Sequence, residues 1–318
     1  MKLKDIGEFG FIDRIAPLGS IRSEGVVKGI GDDCAVISIP GPDYLLVTTD
    51  LVIEGVHFLS DWGSPEQIGA RTLAANVSDI AACGGVPRDA FISIAIPHNI
   101  DVEYLEGLYR GMADLAKLHN VNLLGGDTTG SRHDLMINIA LTGLVPRDEV
   151  LFRHAAQVGD IIVLTGSTGE SGAGCEILLA KPDIPADVAR RLVTAHLEPR
   201  PHVQEGRVLA TSGACTAAID VSDGLSSDLG HLCTDSGIGA MLYEEQIPLS
   251  GDLIAAGCAL GKDPLDWVMN GGEDYVLLAT VKAESLDALA AQFQSFGLSL
   301  FPIGECIAGS EMFLKKRD

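Results

Sequence analysis

The chain has 318 residues, enough for two domains of ordinary size, and its 47% hydrophobic content with 37 glycines suits an α/β protein rich in tight turns. A formal net charge of −22, with only 22 Lys and Arg, excludes a nucleic-acid-type surface and requires local cations, most naturally bound metal ions, for any phosphate-bearing ligand. No apolar run has the length of a membrane span, the start MKLKDIGEFGF lacks a signal-peptide core, and the seven scattered cysteines form no CxxC pair, so they read as reduced core residues of a cytoplasmic protein.

Residues 26–53 read as two strands, VVKG…CAVISI and YLLVTTDLV, joined by a PGPD turn. Ser64-Pro65 opens an Ala-rich helix that runs to about Cys83, where Gly84-Gly85 stops it. AFISIAIP is a strand. A second helix follows, with Asp101 as its expected cap and Val102, Leu105, Leu108, Met112 and Leu115 at helical spacing. VNLLGG and LMINIALTGLV are further strands. These elements form an N-terminal unit over residues 1–145; the polar stretch 146–160 leads into a second unit over residues 146–318. That unit begins with the strand IIVLTG and holds several helices and three or four more strands. TGSTGESGAG (165–174) lies between strand and helix like a phosphate cradle, but it lacks the GxxxxGK[ST] lysine and reads more readily as a tight turn.

Acids recur beside glycines or hydroxyls at the ends of apolar segments. Asp32 and Asp33 in GIGDDCA would point to opposite faces of an extended strand, one forming a turn and the other serving as a ligand. Thr48, Thr49 and Asp50 offer hard oxygen donors where a strand opens into a loop, and a solvated strand end is the alternative. Asp79 sits near a helix C-terminus, where the dipole disfavours a negative charge; a metal, or a salt bridge to an arginine, would compensate, and Asn76 shares its face. Asp127 follows Gly125-Gly126, which fits either close approach to a ligand or an Asp-capped glycine turn. Asp220 and Ser222 share a strand face, while Asp223 precedes a helix whose first turn favours acids in any case. Glu273 and Asp274 follow Gly271-Gly272. His57 in EGVHF reads from pattern alone as a solvated loop histidine. Together the clusters, without a Walker lysine, point to a multi-metal nucleotide site.

The order GEFGFI, GIGDDCAV, TTDLVIEGVHF, NVSDIAACGG, LGGDTTG, TGSTGESGAG, IDVSDGLSSDLGH and GGEDY resembles the thiamine-monophosphate kinase family over residues 7–305. That family shares a mixed α+β two-domain fold with aminoimidazole-ribonucleotide synthetase, selenophosphate synthetase and the hydrogenase-maturation ATPase. The resemblance implies transfer of the γ-phosphoryl of ATP to thiamine monophosphate by a homodimer with paired N-terminal sheets and several Mg²⁺ ions. It implies metal ligands at Asp33, Thr48, Thr49, Asp50, Asp79, Asp127, Asp220 and Asp223. ATP contacts fall on Gly126, Asp127, Arg153 and Ser222, and substrate contacts on His57 and Glu273.

The acceptor is a phosphate monoester with a second pKa of about 6, already an oxyanion at neutral pH. Neither a covalent nucleophile nor a general base is expected, and transfer is direct. The family's usual aromatic C-terminal segment has no counterpart in GSEMFLKKRD, which leaves Trp267, Phe301 or Phe313 to replace it against the thiamine rings. A sister ATP-dependent synthetase of the same fold is the alternative. A calcium-binding scaffold is disfavoured, because the acids are dispersed and no DxDxDG loop is present.

Overall fold

The computed structural model describes residues 2–19 and 21–316. Helix α1 (Gly7–Gly19) is followed by β1 (Val26–Lys28), β2 (Ala35–Ser38) and β3 (Asp43–Ile53). The first two segments were expected as one strand. The chain instead turns between them, with Gly31 at φ +104°, and the two halves pair antiparallel. Helix α2 (Pro65–Ala82) then begins on a reciprocal cap: the Ser64 hydroxyl accepts from Gln67 N, and the Gln67 side chain accepts from Ser64 N. It ends at Cys83, ahead of Gly84 at φ +71°.

The N-terminal unit continues with β4 (Val86–Pro97), α3 (Val102–His119), β5 (Asn122–Ser131) and β6 (Met136–Pro146). Asp101 is the N-cap residue of α3, but its side chain makes no capping bond; at the other end Asn120 closes the helix in the left-handed conformation. The strands form one sheet in the order β1-β2-β3-β6-β4-β5, in which only β4 and β5 run parallel. Strand β5 carries straight through Gly125, Gly126 and Asp127, where a glycine turn was one expectation. A side chain at Gly126 would place its Cβ 1.6 Å from the Ile92 carbonyl oxygen, so glycine here is required by the neighbouring strand.

The two helices cover one face of this sheet at very short range. A Cβ on Gly111 of α3 would lie 1.8 Å from the Glu66 carbonyl oxygen, and one on Gly69 of α2 would lie 2.0 Å from that of Leu108. The opposite face stays open, with Leu51 and Phe91 exposed on it.

The second unit comprises β7 (Ile161–Leu164), α4 (Glu170–Ala180), α5 (Ala186–Leu197), α6 (Val203–Ser212), β8 (Cys215–Asp220), α7 (Leu225–Ser236) and β9 (Gly239–Tyr243). Then come α8 (Gly251–Leu260), α9 (Pro264–Asn270), β10 (Leu277–Val281), α10 (Leu286–Ser295), β11 (Phe301–Ile307) and β12 (Met312–Lys315). Its sheet runs β12-β9-β11-β7-β10-β8. Five strands follow β7 where three or four were expected; the edge strand β12 is only four residues long and three of them are exposed, too short a run to show strand alternation.

One hydrophobic cluster fills each unit, and a third joins them: Ala81 and Ala82 at the end of α2 pack with Leu209, Ala218, Leu277 and Phe293 of the second unit. Gly206 of α6 makes this possible, since a Cβ there would fall 2.2 Å from the Ala81 carbonyl oxygen. The C-terminal half of α2 is thereby driven against the end of β8.

Gly111→Ala should cost about 1–3 kcal/mol through overpacking of the α2–α3 contact. Thermal unfolding would show it as a lower midpoint; an unchanged midpoint would contradict so tight a crossing.

Candidate functional site

The acids meet at the junction that α2 and β8 create. On β3 the alternation of side chains turns Thr48 and Asp50 toward α2 and Thr49 to the open face, where its hydroxyl accepts from Asn138 Nδ2 at 2.9 Å. Asp79 of α2 accepts a hydrogen bond from the Thr48 hydroxyl. Asn76, on the same helix face, is spent on the Ile139 carbonyl at 3.1 Å. One residue before Asp79, the Ser78 hydroxyl donates to Asp220 at 2.6 Å, tying α2 to the last residue of β8. Asp33 arrives from the turn after β1. One carboxylate oxygen each from Asp33, Asp79 and Asp220 lies within 4.8 Å of the others.

Such an arrangement opposes ionisation. Burial and then the Asp33 charge push Asp220 up to about 8. Burial, followed by Asp50, Asp220 and Asp33, holds Asp79 well above the usual carboxylate range. Asp50 is raised mainly by burial. Asp228, in the first turn of α7, accepts from Asp223 N at 3.2 Å and is pushed up to about 8 by burial and then by Asp220. Among the described residues, the Oδ2 atoms of Asp33 and Asp50 are buried without a partner. Orphaned carboxylate oxygens converging beside a hydroxyl form a donor set for hard divalent cations, which would relieve the repulsion that raises these pKa values.

Arg153 supplies the fixed positive charge. Its guanidinium bonds Asp33 Oδ1 at 2.6 Å. Asp32 and Asp33 do not diverge as strand neighbours would, because the Gly31 turn folds both carboxylates inward. The Asp32 side chain is fully buried, 3.6 Å from Lys28 Nζ, and burial followed by the Asp33 charge raises it to about 6.

The cavity has a volume of about 750 Å³ and extends from these acids to a second group around His57 and Glu273. His57 Nδ1 accepts from Ile53 N at 3.0 Å, so in the neutral ring the proton sits on Nε2, free to donate to a ligand. Arg71 of α2 bonds both the His57 carbonyl, at 2.9 Å, and the Glu273 carboxylate. This arginine is the main residue missed in the sequence; its signal was a lone cation within an otherwise apolar stretch of α2. Glu273 adopts φ +55° after Gly272 at +69°, and its N–H donates to Ser222 O at 2.8 Å. GGED and VSD are therefore two halves of one packed turn. Ser222 lies beyond the end of β8, so strand alternation no longer relates it to Asp220, although both line the cavity.

Asp274 faces away from this cavity and accepts from the N–H groups of Gly169 at 2.7 Å and Ser171 at 3.1 Å. The TGSTGESGAG loop thus has backbone donors occupied by a carboxylate, which fits the tight-turn reading. Asp33, Thr48, Thr49, Asp50, Asp79, Arg153, Ser222, Asp220, Asp223, His57 and Glu273 all border the cavity. Gly126 and Asp127 do not. Asp127 pairs with Ser93, which pairs with Asn138 and through it with Leu51, so three strand spacings separate β5 from β3. Of the proposed ring contacts, Trp267 is buried with its indole N–H on Glu176 at 2.9 Å, and neither it, Phe301 nor Phe313 reaches the cavity.

Comparison with known proteins identifies the family and the fold. Residues 31–145 match the AIR synthase related protein N-terminal domain and residues 157–316 the corresponding C-terminal domain. The thiamine-monophosphate kinase of Escherichia coli (strain K12) is 36% identical over 315 residues, covering 98% of this chain and 94% of that protein. That of Bacillus subtilis (strain 168) is 33% identical over 299 residues, covering 93% and 90%. Among solved structures, AaThiL complexed with AMPPCP and TMP is similar at a TM-score of 0.88 and 33% identity, covering 100% of this chain and 97% of that one. The hydrogenase maturation protein HypE in complex with ATP shares the fold alone, at a TM-score of 0.71 and 18% identity over 96% of this chain and 91% of that one.

The raised acids set a pH dependence. Asp220 and Asp228 bind protons in the folded state up to about pH 8 but only to about 4 when unfolded, so folding stability falls as pH rises through that window. His196 and His202, held down to about 3 and about 4 mainly by burial, act oppositely, but only below their unfolded pKa of 6.5. Between pH 6.5 and 8 the metal-free protein should therefore lose roughly 2–4 °C in its unfolding midpoint. Saturating Mg²⁺ should flatten the fall, and a midpoint that rises over this range without metal would contradict the assignment.

Proposed function

The chain belongs to the thiamine-monophosphate kinase family of AIR synthase related proteins, and from that premise we propose that it phosphorylates thiamine monophosphate with ATP to give thiamine diphosphate and ADP. The observation that carries the reading is the single cavity that sets the converging Asp33, Asp79 and Asp220 at one end and His57 with Glu273 at the other. A site that must hold two polyanions needs cations at the reacting end and a distinct organic-ligand end, and this cavity has both. The alternative of a sister synthetase is not favoured, since the relatives of 33–36% identity described above are kinases of this substrate.

In this reading Asp33, Asp50, Asp79 and Asp220, with the Thr48 hydroxyl, would hold Mg²⁺ ions, and Asp223 would complete the set at the cavity's border; Thr49, whose hydroxyl lies on the opposite face with Asn138, can contribute only its backbone. When bound, Mg²⁺ supplies neutralisation of the phosphate charges and a template for in-line displacement. The chain's own residues do the rest. Arg153 exchanges its bond to Asp33 for the transferring phosphoryl group, and Ser222 borders the nucleotide. His57 donates from Nε2 to the acceptor phosphate, and Glu273, fixed by Arg71, orients the organic portion. The acceptor oxygen attacks the γ-phosphorus while the bond to the β-γ bridging oxygen breaks and ADP leaves. No protein nucleophile or base takes part, because the phosphate monoester is already ionised at neutral pH.

Gly126 and Asp127 enter this scheme through a homodimer. The open face of the N-terminal sheet exposes Leu51 and Phe91 beside Asp127, a surface that a second copy would cover, and pairing of two such sheets would carry the partner's Asp127 toward the cavity rim. We likewise propose that 1–145 and 146–318 are the two domains and that the enzyme works in the cytoplasm; the free cysteines support the latter. No helix among the described residues is long and apolar enough to cross a membrane.

Incubation with ATP, Mg²⁺ and thiamine monophosphate should yield thiamine diphosphate and ADP in equal amounts. Asp220→Asn and Asp127→Asn should each lower kcat by about 100-fold or more. ADP without thiamine diphosphate would move the acceptor to another compound, and no turnover at all would remove the kinase reading.

A further inference from the structure

The cavity has aromatic side chains at both ends, and their neighbours distinguish them. Phe9 of α1 packs on His231 of α7, with ring centroids 4.4 Å apart, and His231 is close enough to Asp33 to act on its charge. Phe9 therefore belongs to the acidic end. Trp62 lies in the short turn before α2, where its backbone N–H donates to the Leu59 carbonyl at 3.1 Å. It is half-buried, borders the cavity, and meets His196 edge-on at 5.7 Å. His196 Nδ1 lies 3.8 Å from the Glu273 carboxylate, and Glu273 is held by Arg71, which also holds the His57 loop. Trp62 and Glu273 thus stand at one end of the cavity on a connected framework, with His57 between them and Asp50, whose charge it reaches.

Thiamine monophosphate carries a permanently cationic thiazolium ring and a flat aminopyrimidine. An indole face and a carboxylate are the two groups best suited to such a cation, the first through its π quadrupole and the second through its charge. His196 adds no competing charge, because its buried ring, its Nδ1 bonded to the Ser171 hydroxyl at 3.0 Å, stays neutral; Arg71, bonded to one Glu273 oxygen, is the cation with which the thiazolium ring shares that carboxylate. The rest of this wall is Val56, Cys175, Gly271 and the mostly buried Tyr275, whose phenol is close enough to Glu273 and Arg71 to feel both charges.

We propose that Trp62 is the ring-binding residue of this enzyme: its indole face receives the thiazolium-aminopyrimidine portion of thiamine monophosphate while Glu273 balances the positive charge. The assignment rests on the kinase reading above and extends it, since neither the site motifs nor the three aromatic residues singled out from the sequence point to this tryptophan. Trp62 acts on binding and not on the phosphoryl chemistry, which is carried at the far end of the cavity.

Two measurements on the full-length protein test it. In steady-state kinetics, Trp62→Ala should raise KM for thiamine monophosphate by about tenfold or more, leave KM for ATP and kcat nearly unchanged, and be largely rescued by Trp62→Phe. The chain has two tryptophans, so Trp267→Phe leaves Trp62 as the only indole reporter. Thiamine monophosphate should quench its emission saturably, whereas inorganic phosphate should not. An active wild type with an unchanged KM in Trp62→Ala and no quenching would overturn the ring assignment alone. A wild type that forms no thiamine diphosphate would overturn the kinase reading instead. If Trp62→Ala fails to fold, the quenching experiment decides the question: saturable quenching by thiamine monophosphate supports the assignment, and no quenching in an active Trp267→Phe protein overturns it.

Discussion

Everything in this molecule that bears on function depends on one electrostatic arrangement: several carboxylates buried together where two domains meet. Without cations the cluster destabilises the fold, because burial and mutual repulsion keep Asp79 and Asp220 from ionising at their ordinary pKa. It is tolerated because the surrounding packing leaves no alternative. Gly69 and Gly111 let α2 and α3 touch backbone to backbone, Gly206 lets α6 close on the end of α2, and the Ser78–Asp220 hydrogen bond fastens α2 to the second sheet. The helix is thus a rigid strut that carries Arg71 at the Glu273 end of the cavity and Asp79 at its acidic end, two turns apart.

The two ends use different physics. At the acidic end selectivity is coulombic: a protein of net charge −22 can hold a polyanion only where cations reverse the local sign, and Arg153 provides one such charge permanently. At the other end charge is nearly balanced by the Arg71–Glu273 pair, and shape and aromatic surface become decisive. Glu273 is held in the left-handed backbone region by Gly272 and by its N–H bond to Ser222. That strained turn ties the Glu273 end of the cavity to the VSD segment.

Much of this was legible in the sequence because the functional groups sit in short motifs with distinctive composition. GIGDDCA, LLVTTD, NVSD and AIDVSD each marked an acid that borders the cavity. The boundaries of α2 followed from its cap and terminal glycines. What local pattern could not supply was direction. Strand alternation suggested that Asp32 and Asp33 diverge, yet the Gly31 turn buries both; the same alternation does separate Thr49 from Thr48. Gly126 looked like a ligand-approach glycine, whereas the visible demand on it comes from the Ile92 carbonyl. Arg71 and Trp62 escaped notice because single residues outside a motif acquire meaning only when distant segments, here 57, 196 and 273, are brought beside them.

The account stands most directly on the claim that cations convert this acidic cavity into a phosphate site. Calorimetric binding of a non-hydrolysable ATP analogue, measured once with Mg²⁺ and once with EDTA, tests it. The expected result is saturable binding with Mg²⁺ and none detectable in EDTA. Equal affinity in both would mean that the nucleotide is held by protein groups alone, and the role assigned to the buried acids would be wrong.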